Sequence, residues 1–430
     1  MPRLTRRVVV TGFGGLTNLG HTAPATWEGM REGRSGIGPI DHSAFRDEGQ
    51  AEGAISDQWA VKFAGQVRGW TPRAVEKREH KRFDRAALLG LDAALEAVEH
   101  SGWDHNAGDP ARHGVIIGSG IGGIRTIEES YHTLLHRGPS RISPFTVPRL
   151  MVNATTGNIS IRFNLQGPAT AHSTACASSG HAIGDAANAI RLGLADVMVA
   201  GGAEAAVTPL CVGAFTTMKA LSTRNDDPQA ASRPFDTGRD GFVLSEGAAM
   251  FILESEEHAK ARGATIYAEV VGFANSADAH HIAAPEPEGR GAFNAMKWAL
   301  RDAELDANDI DHINAHGTST PLGDRAELLA VKKIFGDHAK AGGGGLSVTS
   351  TKSMHGHALG ASGAVEMIAC IHAVREGVLA PTINLDEPDA DFDVDIVANE
   401  ARQTPVKTVM NNTFGFGGHN VSLIVARYES

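Results

Sequence analysis

Thr170-Ala-His-Ser-Thr-Ala-Cys-Ala-Ser-Ser-Gly180 runs from a β-like segment into an amphipathic helix, with Cys176 at the join. Beyond the join, Ile183, Ala186 and Ile190 recur at helical spacing. A thiol at a helix N-terminus faces the positive end of the helix dipole, which favours the thiolate and lowers its pKa. A strand-to-helix turn also exposes its side chain, as other nucleophile turns do. The competing reading is a small buried hydrophobe, the usual state of a free cysteine. Cys211 and Cys370, inside apolar stretches, take that reading.

Outward from this turn, the order of elements occurs twice. Arg6-Arg-Val-Val-Val-Thr-Gly-Phe-Gly14 and Tyr267-Ala-Glu-Val-Val-Gly-Phe-Ala274 are matching β-branched runs. Each precedes an amphipathic helix, marked by Leu88, Leu91, Leu95 and Val98 in one half and by Phe293, Met296 and Leu300 in the other. Each helix leads to a strand ending in small residues, Gly114-Val-Ile-Ile-Gly-Ser-Gly and Asp311-His-Ile-Asn-Ala-His-Gly. A further helix follows in each half, through Ile183 or through Val365, Ile368, Ala369 and His372. Asp196-Val-Met-Val-Ala-Gly-Gly and Lys407-Thr-Val-Met-Asn-Asn-Thr are expected to close the halves. The pattern predicts a duplicated α/β architecture with a site where the halves meet.

Composition removes several function classes. Glycine makes up 50 of 430 residues, about 12% against an ordinary ~7%, while 42% of residues are hydrophobic and 21% charged. That suits a large core with close backbone approaches and excludes disorder, collagen and coiled coil. The net charge of −11 argues against nucleic acid or an anionic membrane as the main partner. No apolar run reaches the ~18 residues of a membrane span, and the apolar run after Met1 is too short for a signal peptide. Three cysteines cannot form a disulfide framework, so a reducing cytoplasm is expected. Ala341-Gly-Gly-Gly-Gly345 and Pro285-Glu-Pro-Glu-Gly289 read as surface loops rather than domain boundaries.

Two histidine segments add chemistry to Cys176. In Asn314-Ala-His-Gly-Thr-Ser-Thr, His316 ends a short strand; in Ser350-Thr-Lys-Ser-Met-His-Gly-His, Lys352 and His357 stand just before a helix. A histidine there can point into a cleft or be a hydrogen-bonded structural residue. His355-Gly-His357 also has the form of a metal pair, but no cysteine or carboxylate nearby in sequence completes a ligand set, so no metal is expected. Asn411-Asn-Thr-Phe-Gly-Phe-Gly-Gly-His-Asn420 allows a sharp turn that brings an N–H close to a ligand, or is simply a turn between two strands. Gly118-Ser-Gly-Ile-Gly-Gly123 fits the spacing of a dinucleotide-binding turn. Between Glu129 and Asp185, however, there is no acidic residue to meet a ribose, and no nucleotide cofactor is expected.

Together, Thr174-Ala-Cys-Ala-Ser-Ser, Asn314-Ala-His-Gly-Thr-Ser-Thr, Thr351-Lys-Ser-Met-His-Gly-His and Gly415-Phe-Gly-Gly resemble the β-ketoacyl-acyl-carrier-protein synthases, most closely the type II enzymes of bacterial fatty-acid synthesis. The resemblance runs from Arg7 to Ala426 and includes the 140-residue separation of Cys176 and His316. It implies a thiolase-like αβαβα sandwich of two halves, 1–258 with the cysteine and 259–430 with both histidines. It further implies a decarboxylating condensation between an acyl-cysteine and a malonyl thioester, both delivered by acyl carrier protein, with no resident cofactor. In the family pattern Cys176 is the nucleophile, His316 and His357 bind the malonyl thioester carbonyl, and Lys352 supports His357 with Glu366 as its partner. Thr318 and Thr320 match pantetheine contacts, Phe416 a gating residue that shares an oxyanion hole with Cys176, and Ile121 and Phe242 the acyl pocket. Two positions depart from the pattern: His355 replaces a small hydroxyl residue and could add a third imidazole, and Thr146 replaces an aromatic residue that shapes the acyl pocket.

An acidic carrier must dock on a chain of like sign, which directs attention to local charge. Arg78, Lys81, Arg82 and Arg85 have i, i+3, i+4, i+7 spacing, which predicts one basic helical face, and Arg141 and Lys219 match further family contacts. The competing reading is an ordinary solvated helix face. The strand before Cys176 resembles one that pairs across a two-fold axis, implying a homodimer. The catalytic ketosynthase of an aromatic polyketide system shares every one of these motifs and is the alternative function. A degradative thiolase would need a second, C-terminal cysteine, and a Cys-His-Asn initiating synthase would need Asn at 357. A non-catalytic chain-length subunit would lack Cys176, and a cysteine hydrolase would need an open path for water.

Overall fold

The Arg6–Gly14 run forms a strand in the computed structural model, which describes residues 6–41, 43–45, 55–342, 344–389 and 393–430. Residues 1–5 ahead of this strand, and Gly343 in the glycine run, lie outside the described residues. Strand β1 (Val8–Thr17) is buried at all ten positions, as a strand covered on both faces must be. Strands β2 (His113–Gly118), β3 (Ala169–His172), β4 (Val197–Ala205) and β5 (Glu246–Ser255) complete the first half. In the second half, β6 (Ala268–Ala277), β7 (His312–Asn314), β8 (Ser347–Thr349), β9 (Thr408–Gly415) and β10 (His419–Ala426) follow in the same sequence.

The order across the strands is β3-β2-β4-β5-β1-β6-β10-β9-β7-β8. Adding five to each strand of the first half gives the second, mirrored about the short β1–β6 ladder, where Val9 faces Glu269 and Val10 faces Ala268. The predicted duplication is therefore present, with one correction. The strands through Val197 and Thr408 do not close their halves, because each hands on to a further antiparallel strand, β5 or β10.

Helices fill three layers. Helix α1 (Arg85–Ser101) covers one outer face, and α2 (Ile124–Arg137) lies in the β2-to-β3 connection. Helix α3 (Ser178–Arg191) follows Cys176. Helices α4 (Arg290–Ala303) and α5 (Pro321–Phe335) cover the opposite outer face, and α6 (Ser362–Glu376) follows His357. Helices α3 and α6 lie between the two half-sheets, and every residue of α6 from Ser362 to Val374 is buried. A helix apolar or small all round has to be interior. Three apolar clusters match this αβαβα layering: Ile183, Ile190, Val365 and Ile368 in the middle, Leu89, Leu91, Val115 and Ile117 on one side, and Met296, Leu300, Leu328 and Val331 on the other.

The predicted basic face is not formed. Lys77–Arg82 is a short 3-10 segment, Phe83 is extended, and Asp84 caps α1 by accepting the Ala86 N–H at 3.0 Å. This cap separates Arg85 from Arg78, Lys81 and Arg82 and turns it inward, where its guanidinium meets buried Glu246 at 2.6 Å.

Close approach of α3 to the second half rests on small residues. A Cβ at Gly184 would fall 2.1 Å from the Phe273 ring. Helix propensity alone predicts that Gly184→Ala gains about 1 kcal/mol. Packing predicts instead a loss of about 1–3 kcal/mol, and denaturant unfolding should show the loss.

Candidate active site

Cys176 sits in a 3-10 turn, Ala175–Ala177, that runs directly into α3. Ser178 fixes the turn, since its hydroxyl donates to the Ala175 carbonyl and accepts the Thr174 N–H. Ala175 is held at φ 50°, a left-handed conformation that a non-glycine residue adopts only when its surroundings enforce it. Cys176 lines a largely apolar cavity of about 640 Å³.

The second half brings both predicted histidines to that sulfur. Nε2 of His357 lies 2.9 Å from Cys176 Sγ, and its Nδ1 lies 2.8 Å from the Ser362 hydroxyl at the start of α6. The His316 ring meets the His357 ring edge-on, with centroids 5.3 Å apart. His316 is aimed by its backbone: its N–H and that of Gly317 donate to the two carboxylate oxygens of Glu327 at 2.9 and 2.8 Å. Lys352 and Glu366, both fully buried, form an ion pair beneath the histidines.

Burial sets the electrostatics. It depresses both imidazoles well below their usual range, helped by the Lys352 charge, so both rings are neutral at pH 7. The expected lowering of the thiol pKa is overturned. Desolvation pushes Cys176 up to about 12, outweighing the pull of Lys352 and of the Phe416 N–H aimed at the sulfur. The resting group is a thiol with a neutral imidazole nitrogen 2.9 Å away, a nitrogen placed to accept its proton. The Ser362 hydroxyl can donate or accept, and the ring can therefore carry its proton on either nitrogen.

Phe416 and Cys176 approach through Gly415, where a Cβ would fall 2.8 Å from the Thr174 carbonyl and 3.0 Å from the Cys176 nitrogen. The glycine turn joins β9 to β10, as its plainer sequence reading expects, and the Phe416 N–H beside it is directed at the Cys176 sulfur. Ile121 and Phe242 line the cavity near Cys176, Phe242 packing edge-on against His357. Thr318 and Thr320 also line it, with their hydroxyls 2.9 Å apart. Lys219 stands exposed at the rim. Arg78, Lys81, Arg82 and Arg141 are exposed, and the Arg82 guanidinium covers the ring of Phe145, four residues beyond Arg141.

Other assignments change. His355 adds no third imidazole to the cavity lining; it is buried with its ring turned to the Thr351 hydroxyl at 3.1 Å. Thr146 bonds Ser130 and does not line the cavity of this chain. The ligand set that the sequence could not complete around His357 is completed in space by other residues. Cys176 Sγ and one nitrogen each of His316 and His357 lie within 4.8 Å of one another, a spacing a metal ion could bridge. The neighbouring Lys352 charge opposes a cation there. Glu327 and Ser362 were not anticipated. Asp324 and Glu327 share one face of α5 by i, i+3 spacing, and that was the available signal for an acidic pair behind His316. Glu286 was expected in a surface loop but is buried at the cavity wall.

Two family models match the chain: the beta-ketoacyl synthase N-terminal domain over residues 5–259 and its C-terminal domain over 267–386. A 3-oxoacyl-[acyl-carrier-protein] synthase 2 of Vibrio cholerae is 47% identical over 98% of this chain and 99% of its own length. That of Coxiella burnetii is 46% identical over 98% and 99%. A beta-ketoacyl synthase crystal structure from Burkholderia phymatum superposes with a TM-score of 0.89 at 36% identity, covering 99% of this chain and 100% of that one. A type II polyketide ketosynthase bound to its acyl-carrier protein gives 0.89 at 31% identity over 99% and 100%.

The buried ion pair makes a direct prediction. Lys352→Ala leaves Glu366 without its partner and should cost about 3–5 kcal/mol in denaturant unfolding. Lys352→Met combined with Glu366→Leu should recover most of that stability.

Proposed function

This chain belongs to the β-ketoacyl synthase family, and on that premise we propose how its site performs the reaction. It is a 3-oxoacyl-acyl-carrier-protein synthase. It joins an acyl group to a malonyl thioester, yielding 3-oxoacyl carrier, CO2 and free carrier, in fatty-acid elongation. The single observation that carries the mechanism is the thiol 2.9 Å from His357 Nε2, with His316 beside it, in the wall of a largely apolar cavity.

In the first half-reaction Cys176 Sγ attacks the acyl thioester carbonyl as His357 takes the thiol proton. The tetrahedral oxyanion is held by the N–H groups of Cys176 and Phe416, and its collapse expels the carrier thiolate, which receives that proton. Malonyl carrier then binds with its pantetheine arm along Thr318 and Thr320 and its thioester carbonyl toward His316 and His357. Cleavage of the bond to the carboxylate releases CO2 and leaves an enolate whose oxygen the two imidazole N–H groups stabilise. The enolate carbon attacks the acyl-cysteine carbonyl held next to it, gaining from fixed geometry. Cys176 leaves as the thiolate and takes a proton from solvent. Neutral imidazoles suit this task, because an N–H donor costs no extra buried charge. Lys352 is a positioning group paired to Glu366, and both halves of the chain act as one unit. No resident cofactor is required, since the substrates carry their own phosphopantetheine.

The carrier docks on the exposed basic groups Arg78, Lys81, Arg82, Arg141 and Lys219. Arg78 and Arg82 are ion-paired with Glu76 and Glu79, so their contribution is partly screened. A homodimer forms through the outer edge of β3, where Ala169 and Thr170 are exposed. Apolar side chains at Tyr131, Leu135, Val147 and Ile161 are also exposed in the neighbouring β2-to-β3 connection. Among the described residues no helix is long and apolar enough to cross a membrane, in keeping with work in the cytoplasm. The fatty-acid reading is preferred to the polyketide one because the full-length relatives with that name are the more similar in sequence.

Mixed with medium-chain acyl carrier protein, the wild-type chain should gain the acyl mass in intact-protein mass spectrometry and lose it on addition of malonyl carrier. Cys176→Ala should gain none, and a wild type acylated at no chain length would overturn the assignment. His316→Ala should still be acylated but condense about 10²–10³-fold more slowly. Lys81→Glu with Arg82→Glu should raise KM for carrier-bound substrates about tenfold at low salt and less at high salt, without changing kcat.

A further inference from the structure

Gly118-Ser-Gly-Ile-Gly-Gly123 leaves β2 with the spacing of an anion-binding turn, and its N–H groups do meet an acceptor, a carboxyl group supplied by the chain itself. Glu204, at the end of β4, is completely buried. Its Oε2 accepts the Gly120 N–H at 2.6 Å, and its Oε1 accepts the Ile121 N–H at 3.2 Å and the Ser119 hydroxyl at 3.1 Å. From the opposite side, the Gly360 N–H donates to Oε2 at 3.1 Å. All four donors are neutral, and three are backbone groups from two segments 240 residues apart.

Both segments are walls of the catalytic cavity. Gly120, Ile121 and Leu359 line it together with Cys176. Leu359 is held at φ 45°, left-handed for a bulky residue, and it lies between His357 and the clamped Gly360. The contact is too close for side chains: a Cβ on Gly360 would fall 2.2 Å from the Gly120 nitrogen, and one on Gly120 2.9 Å from Glu204 Oε2. One carboxyl group thus ties the turn after β2 to the turn after His357, with Leu359 in the left-handed region beside the tie.

We infer that Glu204 is a positioning residue that sets the length of acyl chain this cavity accepts, by clamping the Ile121 wall and the Leu359 wall to a single carboxylate. The inference rests on reading the cavity as the acyl site. Its physical content is that the cavity wall at Ile121 and Leu359 is held in place by an interaction that never touches substrate. A neutral amide at this position cannot serve the same four donors, because its own N–H₂ group faces backbone N–H groups.

The test uses alkylation of Cys176 by N-alkylmaleimides from ethyl to dodecyl, followed by intact mass, so that it needs neither carrier protein nor condensation. Glu204→Gln should raise the dodecyl-to-ethyl rate ratio about tenfold over wild type, the scale of one buried donor losing its acceptor. An unchanged ratio, or equal slowing at every length with only a lower unfolding temperature, would reduce Glu204 to a structural residue and overturn the inference. If Glu204→Gln does not fold, Ser119→Ala removes the one side-chain donor; a smaller shift in the same direction supports the clamp and no shift overturns it. Failure of the wild type to accept acyl groups from carrier protein would defeat the functional reading alone, because the maleimide ratio still decides the role of Glu204.

Discussion

The contact between the first turns of α3 and α6 governs the rest of the molecule. Ser179 Oγ accepts the Ala364 N–H at 3.1 Å, and a Cβ on Gly363 would fall 3.2 Å from that same oxygen and 2.6 Å from Thr413. Each helix comes from a different half of the chain. Each begins just after a reactive side chain, Cys176 for α3 and His357 for α6. Sandwiching both helices between two half-sheets leaves their starting ends little freedom to move apart. The 2.9 Å separation of thiol and imidazole is thus a consequence of core packing, and loop chemistry at the surface could not hold it so firmly.

Burial at this junction creates an electrostatic problem that the surrounding groups solve in two ways. Where a charge must persist, it is paired inside, as Lys352 is with Glu366. Where a carboxylate serves as an organiser, backbone N–H groups satisfy it, as for Glu327 under His316 and Glu204 under the cavity wall. Burial pushes Glu204 and Glu366 up to about 7, against the donors and the cation that hold them down. The same desolvation keeps both histidines neutral and the thiol protonated. A site of neutral groups can admit an apolar chain without stranding a charge, and charge then develops only where N–H donors already point.

Much of this was legible along the chain. The repeated strand-helix order predicted the duplicated halves, and the motifs around Cys176, His316, Lys352, His357 and Phe416 marked residues that the fold brings together. What was missed has identifiable physical causes. The last strand of each half is covered on both faces, and such strands lack the alternation that marks a half-buried one. The basic spacing from Arg78 to Arg85 suits one helix, but spacing is blind to a local competitor, the Asp84 cap, that restarts the helix. A helix end alone predicts a lowered thiol pKa, whereas desolvation, a property of the assembled core, raises it. Glu204 lies 84 residues from Gly120 and 156 from Gly360, so nothing local announced it.

The Gly118–Gly123 turn shows why motif and function separate. A glycine-rich turn after a strand presents N–H groups to whatever anion the fold places there, and the geometry is indifferent to its source. Here β4 lies beside β2 in parallel register, with Gly118 opposite Gly202, so a carboxylate two residues further along β4 arrives at the turn as part of folding. An external phosphate would have to displace a group tethered at very high effective concentration. The motif's physics is intact, yet its product is a fixed wall and not a ligand site. Sequence spacing can therefore identify a turn able to bind an anion, while the neighbouring strand decides whether any place is left for one.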